Sequence, residues 1–372
     1  MNGFSIEEAK GVYGAKIKVI GVGGGGGNMI NHMAREGVHG IELIAANTDA
    51  QALENCLAKT KIQLGKKGLG AGMRPEVGRD SAMESYEEIK SSLEKADIVF
   101  IASGFGGGTG TGAAPVVAQA AKEVGALTVA VVTRPFAFEG KKRAKLADIG
   151  INELRKESDS IVIIPNDKLL SIVDSKYGIK DSFRIVDDVL SRAVSGMSLV
   201  VLSSGHSDIN VDFADVQTVM SHRGMALMGI GESTGEDAAI EAIKNAIESP
   251  LLDNMSINGA LGVLVHFHIP PTCPLNEISS AMGLIMDCAD EDADVIFGTT
   301  TDEAMAENSV RVTIVATGFE NKVEAAKELK ALNNNQDALR RERILRMKKV
   351  SGGYEGQEDY LDIPTYIRHQ MD

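Results

Sequence analysis

The stretch Ile98-Val99-Phe100-Ile101-Ala102-Ser103-Gly104-Phe105-Gly106-Gly107-Gly108-Thr109-Gly110-Thr111-Gly112 decides the fold. Ile98–Ala102 is an apolar, β-branched run of the length of one buried strand. Ser103-Gly104-Phe105 leads away from it, and Gly106–Gly112 is glycine at every position except Thr109 and Thr111. Ala113–Val124 predicts a helix with Pro115 in its first turn, where a missing N–H has no intrahelical partner. Glycines between a strand and a helix free the backbone to turn tightly and point N–H groups inward, while the threonines add hydroxyl donors. Such a nest at a helix N-terminus suits two or three adjacent phosphates.

The same alternation continues on both sides. Lys16–Ile20 predicts a buried strand that runs into the glycine loop Gly21–Asn28, and Met29–Glu36 predicts a helix. Ile41–Ala46 is a second strand, ending at Asn47-Thr48-Asp49; Leu127–Val132 and Ile161–Ile164 are two more. The pattern predicts an α/β fold with a mostly parallel sheet and ligand loops at its carboxyl edge. The first glycine run overlaps the dinucleotide fingerprint, and Asp49 keeps a nicotinamide or flavin enzyme open. A flexible glycine loop with no ligand is the third reading; the position of Gly106–Gly112 between an apolar strand and a helix argues against it. No GxxxxGK[ST] occurs, which argues against a Walker-type NTPase.

At 372 residues the chain is long enough for two domains. A formal charge of −14 argues against a general nucleic-acid binder, which needs a concentrated basic surface. Cys56, Cys273 and Cys288 form no close-spaced metal motif, and their scarcity suits a reducing compartment. Met1–Lys10 lacks an apolar signal core, and no uninterrupted apolar stretch is of membrane-spanning length, so a cytoplasmic protein without direct membrane insertion is expected.

With Gly106–Gly112 in this setting, the chain resembles the tubulin/FtsZ family of GTPases from about Lys16 through Phe319 and again at its C-terminus. The resemblance implies an N-terminal extension (1–14), a GTP-binding domain (15–182) and a long central helix (183–204). Next come a synergy loop with the helix after it (205–222), a smaller α+β domain (223–319), a charged linker (320–359) and an adaptor-binding peptide (360–372). It implies GTP/GDP as ligand, with Mg²⁺ held mainly through the phosphates. Gly23, Gly24, Gly25 and Asn28 match the first loop, and Gly106, Gly107, Gly108, Thr109, Gly110, Thr111 and Gly112 match the phosphate cradle. Glu139 and Arg143 match a ribose- and phosphate-side pair; read without the resemblance they are an i,i+4 ion pair on an exposed helix. Asn166, Phe183 and Asp188 match the guanine region: an aromatic ring covers a base face, and a carboxylate accepts from guanine N1 and N2.

Asn210-Val211-Asp212-Phe213-Ala214-Asp215 reads locally as an Asx-rich turn with a helix cap at Asp215. The resemblance implies instead a loop entering the neighbouring subunit's nucleotide site, with Asp212 and Asp215 polarising the attacking water and Asn210 helping to hold the site. Head-to-tail polymerisation into a bacterial division ring follows, since a heterologous contact extends unless its rotation closes. His266-Phe267-His268-Ile269-Pro270-Pro271 departs from the family, which commonly carries a polar, glycine-rich turn there. Ile257–Ile269 is expected to be extended, with His266 and His268 on one strand face. Beyond Phe319, Asp337–Val350 is basic and reads as a solvated linker or short charged helix. The terminal Leu361, Asp362, Ile363, Pro364, Tyr366, Ile367 and Arg368 resemble a peptide docking on membrane-linked division adaptors, with placement beneath the inner membrane at mid-cell. A dinucleotide enzyme and a filament protein with dormant nucleotide binding remain as alternatives.

Overall fold

The computed structural model describes residues 15–38, 40–169, 178–202, 209, 211–222, 224–252, 257 and 259–319. In chain order the elements are β1 (Ile17–Val22), α1 (Gly23–Glu36), β2 (Ile41–Asn47), α2 (Ala50–Glu54), β3 (Thr60–Gln63), α3 (Pro75–Glu84) and α4 (Tyr86–Leu93). Then come β4 (Ile98–Gly104), α5 (Thr109–Glu123), β5 (Leu127–Arg134), α6 (Lys141–Glu157), β6 (Ser160–Pro165), α7 (Asn166–Leu169) and α8 (Ile179–Leu202). The remainder is α9 (Phe213–Ser221), β7 (Gly224–Thr234), α10 (Ala238–Ile247), β8 (Gly262–Ile269), α11 (Leu275–Cys288), β9 (Asp294–Thr301) and β10 (Ser309–Thr317).

The strands lie in the order β3-β2-β1-β4-β5-β6-β7-β10-β8-β9. β1 to β6 are all parallel, with Ile17 opposite both Ile41 and Ile98. β7 is the joint. Its first residues run parallel to β6, Gly224 opposite Ser160, and from Leu227 onward it runs antiparallel to β10. β10 pairs antiparallel with β8, which pairs parallel with β9. A mostly parallel sheet thus joins a smaller mixed α+β unit, as expected.

Side chains of the parallel strands alternate between two buried faces, which is why these strands read as continuous apolar runs. Ile98, Phe100 and Ala102 join α1, α8 and α9 in one core; Val99 and Ile101 join α3 to α6 in the other. A third core lies between β7, β8, β10 and the helices α10 and α11. α8 packs against β5 on one side of β7 in the sheet and against β8, β9 and β10 on the other.

Four local expectations are corrected. The first glycine run is not a loop, because α1 begins at Gly23. Each helical glycine costs about 1 kcal/mol relative to alanine, but here the helix comes too close to the sheet for a side chain: a Cβ on Gly26 would stand 2.4 Å from the Ala102 carbonyl oxygen. Likewise α5 begins at Thr109, so Pro115 is interior to the helix. That leaves the Thr111 carbonyl without its helical donor, and Gly150 of α6 packs over it. The cap of α9 is Asp212, not Asp215. The stretch expected to be extended from Ile257 yields a strand only from Gly262, and His266–Ile269 lies within that strand, as expected. Val263, Val265 and Phe267 bury into the third core. His266 Nε2 lies 2.9 Å from Thr300 Oγ1 and His268 Nε2 3.1 Å from Asp302 Oδ2, on one face as expected. Burial, with His268 beside it, pushes the His266 imidazole down to about 3, so it stays neutral. The charged linker and the terminal peptide lie outside the described residues.

Candidate functional site

Two helix N-termini meet at the carboxyl edge of the parallel sheet. α1 follows Val22 and α5 follows Gly108; neither start has a side-chain cap, and neither first turn carries an acidic residue. Their orphan N–H groups and positive dipole ends are left for a ligand. The two starts touch, since a Cβ on Gly23 would stand 3.0 Å from the Gly110 nitrogen. At Gly24 and Gly107 a Cβ would meet nothing within 4 Å, because both face open space. That space is a cleft of about 320 Å³, lined here by Gly24, Gly25, Gly107, Gly108, Thr109 and Gly110.

The threonines divide their work. Thr109 lines the cleft and its hydroxyl lies 2.6 Å from that of Thr48. Thr111 does not line it; its buried oxygen accepts the Gly106 N–H at 2.9 Å and fastens the loop. Gly23, Gly106 and Gly112 also lie off the lining and serve close approach. A Cβ on Gly112 would fall 1.9 Å from the Pro75 carbonyl oxygen, and Gly106 has φ +98° against Pro135. Asp49, the residue that kept a dinucleotide site open, caps α2 by accepting from Gln51 and Ala52.

Asn28, Glu139, Arg143 and Asn166 complete the predicted lining. Glu139 and Arg143 are not partners on one helix, since Gly140, at φ 101°, separates the turn Ala137–Glu139 from α6. One Glu139 oxygen accepts the Phe136 N–H at 3.0 Å and the other accepts from Arg143 at 2.5 Å. Asn166 is 5% exposed, and its Oδ1 has no partner among the described residues. A buried acceptor left open on a cleft is where a ligand donor belongs.

Asp188, expected beside the guanine, does not line the cleft. Its neighbour Asp187 does, with Val186 and Leu190. Asp188 lies 3.2 Å from His32 and 2.8 Å from Arg192. Gly72, Phe105, Thr133 and Pro135 also line the cleft and were not anticipated. Of Phe183 only the backbone is described, within α8, and Asn210 lies outside the described residues. Asp212 and Asp215 are exposed and do not line the cleft.

Burial pushes the Asp187 carboxyl up to about 6, against a smaller opposing pull from His32. Its folded-state value lies above the unfolded one, so in the empty protein ionisation costs stability above about pH 6, and the cost disappears as pH falls. A carboxylate that accepts from a base must be ionised. For the guanine nucleotide that the sequence resemblance implies, affinity is therefore expected to be flat above pH 7 and to fall up to about tenfold per unit below pH 6. Fluorescent-GTP titrations from pH 5 to 8 check this against Asp187→Asn, which carries the same phosphate titration without the carboxylate. Identical pH profiles in the two proteins would remove Asp187 from base recognition.

The Tubulin/FtsZ family GTPase-domain model matches residues 16–174, and the FtsZ-family C-terminal domain model matches residues 224–320. The chain belongs to the FtsZ family. The cell division protein FtsZ of Pseudomonas aeruginosa is 46% identical, with 96% of this chain and 97% of that protein covered. FtsZ of Helicobacter pylori is 47% identical over 99% and 96%. Among solved structures, an empty FtsZ dimer from M. jannaschii superposes with a TM-score of 0.78 at 47% identity, covering 82% of this chain and 89% of that one. CetZ2 from Haloferax volcanii, at 20% identity and a TM-score of 0.70, shares the fold. This FtsZ-family chain is a cytoplasmic, GTP-hydrolysing cytoskeletal protein of cell division that assembles head to tail into filaments. A larger cavity of about 750 Å³ opens near Lys16 and Ile41, at the amino edge of the sheet. Ligands of parallel sheets bind at the carboxyl edge, which favours the smaller cleft as the ligand site.

Proposed function

We propose that each cleft binds GTP and that hydrolysis occurs only where a second subunit supplies Asp212 and Asp215, with Asn210 beside them. The separation of the two parts carries this reading. α8 contributes Val186, Asp187 and Leu190 to the cleft in its first half, and the stretch from Leu190 to its end at Leu202 spans roughly 18 Å before the chain leads on to Asp212. Ile209 and Thr299 exchange hydrogen bonds at 2.8 and 3.2 Å, and Val211 is buried, so the chain on both sides of Asn210 is anchored. Phosphoryl transfer needs alignment and charge neutralisation more than covalent participation, and exposed carboxylates on a fixed loop suit that task when pressed against a neighbour's γ-phosphate.

Gly24, Gly25 and Gly107–Gly110 hold the phosphates by backbone N–H groups, Arg143 adds charge, and Asn166 and Asp187 read the base with Phe183 and Asn28 beside it. Mg²⁺ fits this cleft through the phosphates. The first turns of α1 and α5 offer no carboxylate, and an ion that keeps several waters and takes phosphate oxygens needs none. The terminal peptide, through Leu361, Asp362, Ile363, Pro364, Tyr366, Ile367 and Arg368, links the filament to membrane-bound division adaptors at mid-cell. Among the described residues no helix is long and apolar enough to cross a membrane, which is compatible with an indirect tether.

GTP turnover measured against protein concentration tests the reading. Turnover per subunit is expected to be near zero in dilute solution and to rise steeply above a threshold, at which light scattering also rises. Turnover proportional to protein from the most dilute sample would show a self-contained site.

A further inference from the structure

Among residues that do not line the cleft, two carboxylates converge on one imidazole nitrogen. His32 Nε2 lies 3.3 Å from Glu36 Oε1, one turn along α1, and 3.2 Å from Asp188 Oδ1 on α8. All three ligating atoms lie within 4.8 Å of one another. A single Nε2–H directs a good hydrogen bond to one acceptor, not to two. A metal ion on that nitrogen serves both oxygens at once. At zinc–ligand lengths of about 2.0–2.1 Å, tetrahedral geometry separates neighbouring ligand atoms by about 3.3 Å, and the two imidazole–oxygen distances already have that value.

The outer oxygens are held as a metal site requires. Ser191 donates its hydroxyl to Glu36 Oε2 at 3.0 Å, and Arg192 Nε donates to Asp188 Oδ2 at 2.8 Å. Each carboxylate thus presents one free oxygen inward while its other is fixed from outside, which orients it and offsets negative charge. We propose that His32, Glu36 and Asp188 form a binding site for a first-row divalent cation of the zinc type, with water completing the shell. An imidazole with two carboxylates suits such an ion better than Mg²⁺, which favours an all-oxygen octahedron. The side chains are partly open, at 20%, 44% and 28% exposure, so the ion enters and leaves. It staples α1 to α8 behind the guanine side of the cleft, because Asp187 adjoins Asp188.

The test is a Zn²⁺ titration of the full nucleotide-free chain against a chromophoric chelator, with wild type, His32→Gln, Glu36→Gln and Ser191→Ala compared. Wild type is expected to bind one equivalent with micromolar affinity. His32→Gln and Glu36→Gln should each weaken that site more than tenfold, and Ser191→Ala, which keeps all three ligands, by about tenfold. Hydrogen exchange in α1 and α8 should slow with saturating Zn²⁺ in wild type and Ser191→Ala and not in the two ligand variants. Wild-type affinity retained by either ligand variant, or no saturable site in wild type, overturns the assignment. Glu36 is the most exposed of the three ligands, so Glu36→Gln decides the matter if His32→Gln does not fold.

Discussion

Asp212→Ala is expected to bind GTP with unchanged affinity while turnover falls roughly 10²- to 10⁴-fold, the range for losing a group that positions and polarises the attacking water. Binding survives because Asp212 is exposed and lies off the cleft. The substitution also removes the cap of α9, where the carboxylate accepts the Ala214 N–H at 3.4 Å, a loss of about 1 kcal/mol. Asp212→Asn separates the effects: it keeps a capping oxygen and loses the charge, so it should match Asp212→Ala in turnover and wild type in melting temperature. A mixing experiment tests the location. A cleft variant such as Gly24→Ala contributes an intact Asp212, and Asp212→Ala contributes an intact cleft. Equimolar mixtures are expected to turn over GTP faster than either protein alone, because some junctions pair the two intact halves. Mixtures no faster than the mean of their components would place Asp212 and the cleft it serves within one subunit.

What the sequence revealed and what it hid follow from the range of the forces involved. The parallel strands were legible because burial on both faces writes itself as uninterrupted apolar runs such as Ile98–Ala102. The short strand β3 and the helices α2 to α4 carry half-polar faces, which leave no such run. Helix starts were misplaced at both glycine runs for one reason. Local propensity makes Gly23–Gly27 a loop, whereas its helical state is fixed by contacts with β1 and β4, distant in sequence. The cleft position of Asp187 rather than Asp188, by contrast, was legible. Residues four apart share a helix face, so a helix that turns Phe183 toward a base also turns Asp187, and it carries Asp188 with Arg192 on another face. Glu139 and Arg143 show the reverse: their i,i+4 spacing suggested one helix, and Gly140 between them was the signal of a break.

A matched pair of substitutions within one glycine run separates fold from function. Gly24→Ala and Gly26→Ala lie two residues apart in α1, and helix propensity alone favours both by about 1 kcal/mol. Their surroundings differ. A Cβ on Gly26 would stand 2.4 Å from the Ala102 oxygen and 2.7 Å from the Gly21 carbonyl carbon, both backbone atoms of strands in the middle of the sheet. Neither neighbour has a side chain to rotate away, so α1 must lift off β1 and β4. Overpacking of this kind costs about 1–3 kcal/mol, and a clash with two strands belongs at the upper end. Gly26→Ala is therefore expected to lose about 2 kcal/mol net in urea unfolding, with an upper bound set by failure to fold. At Gly24 the new methyl meets no protein atom within 4 Å and projects into the cleft. Gly24→Ala is expected to unfold at equal or higher urea and to bind GTP at least about tenfold more weakly, since the methyl occupies space where a phosphate approaches the α1 N–H groups. Both unfolding curves belong in nucleotide-free solution, because bound GTP would add its own stabilisation to whichever variant still binds it. Equal stability of the two variants would mean that α1 does not press on Ala102. Undiminished GTP binding by Gly24→Ala would mean that the phosphates lie elsewhere than between the two helix N-termini.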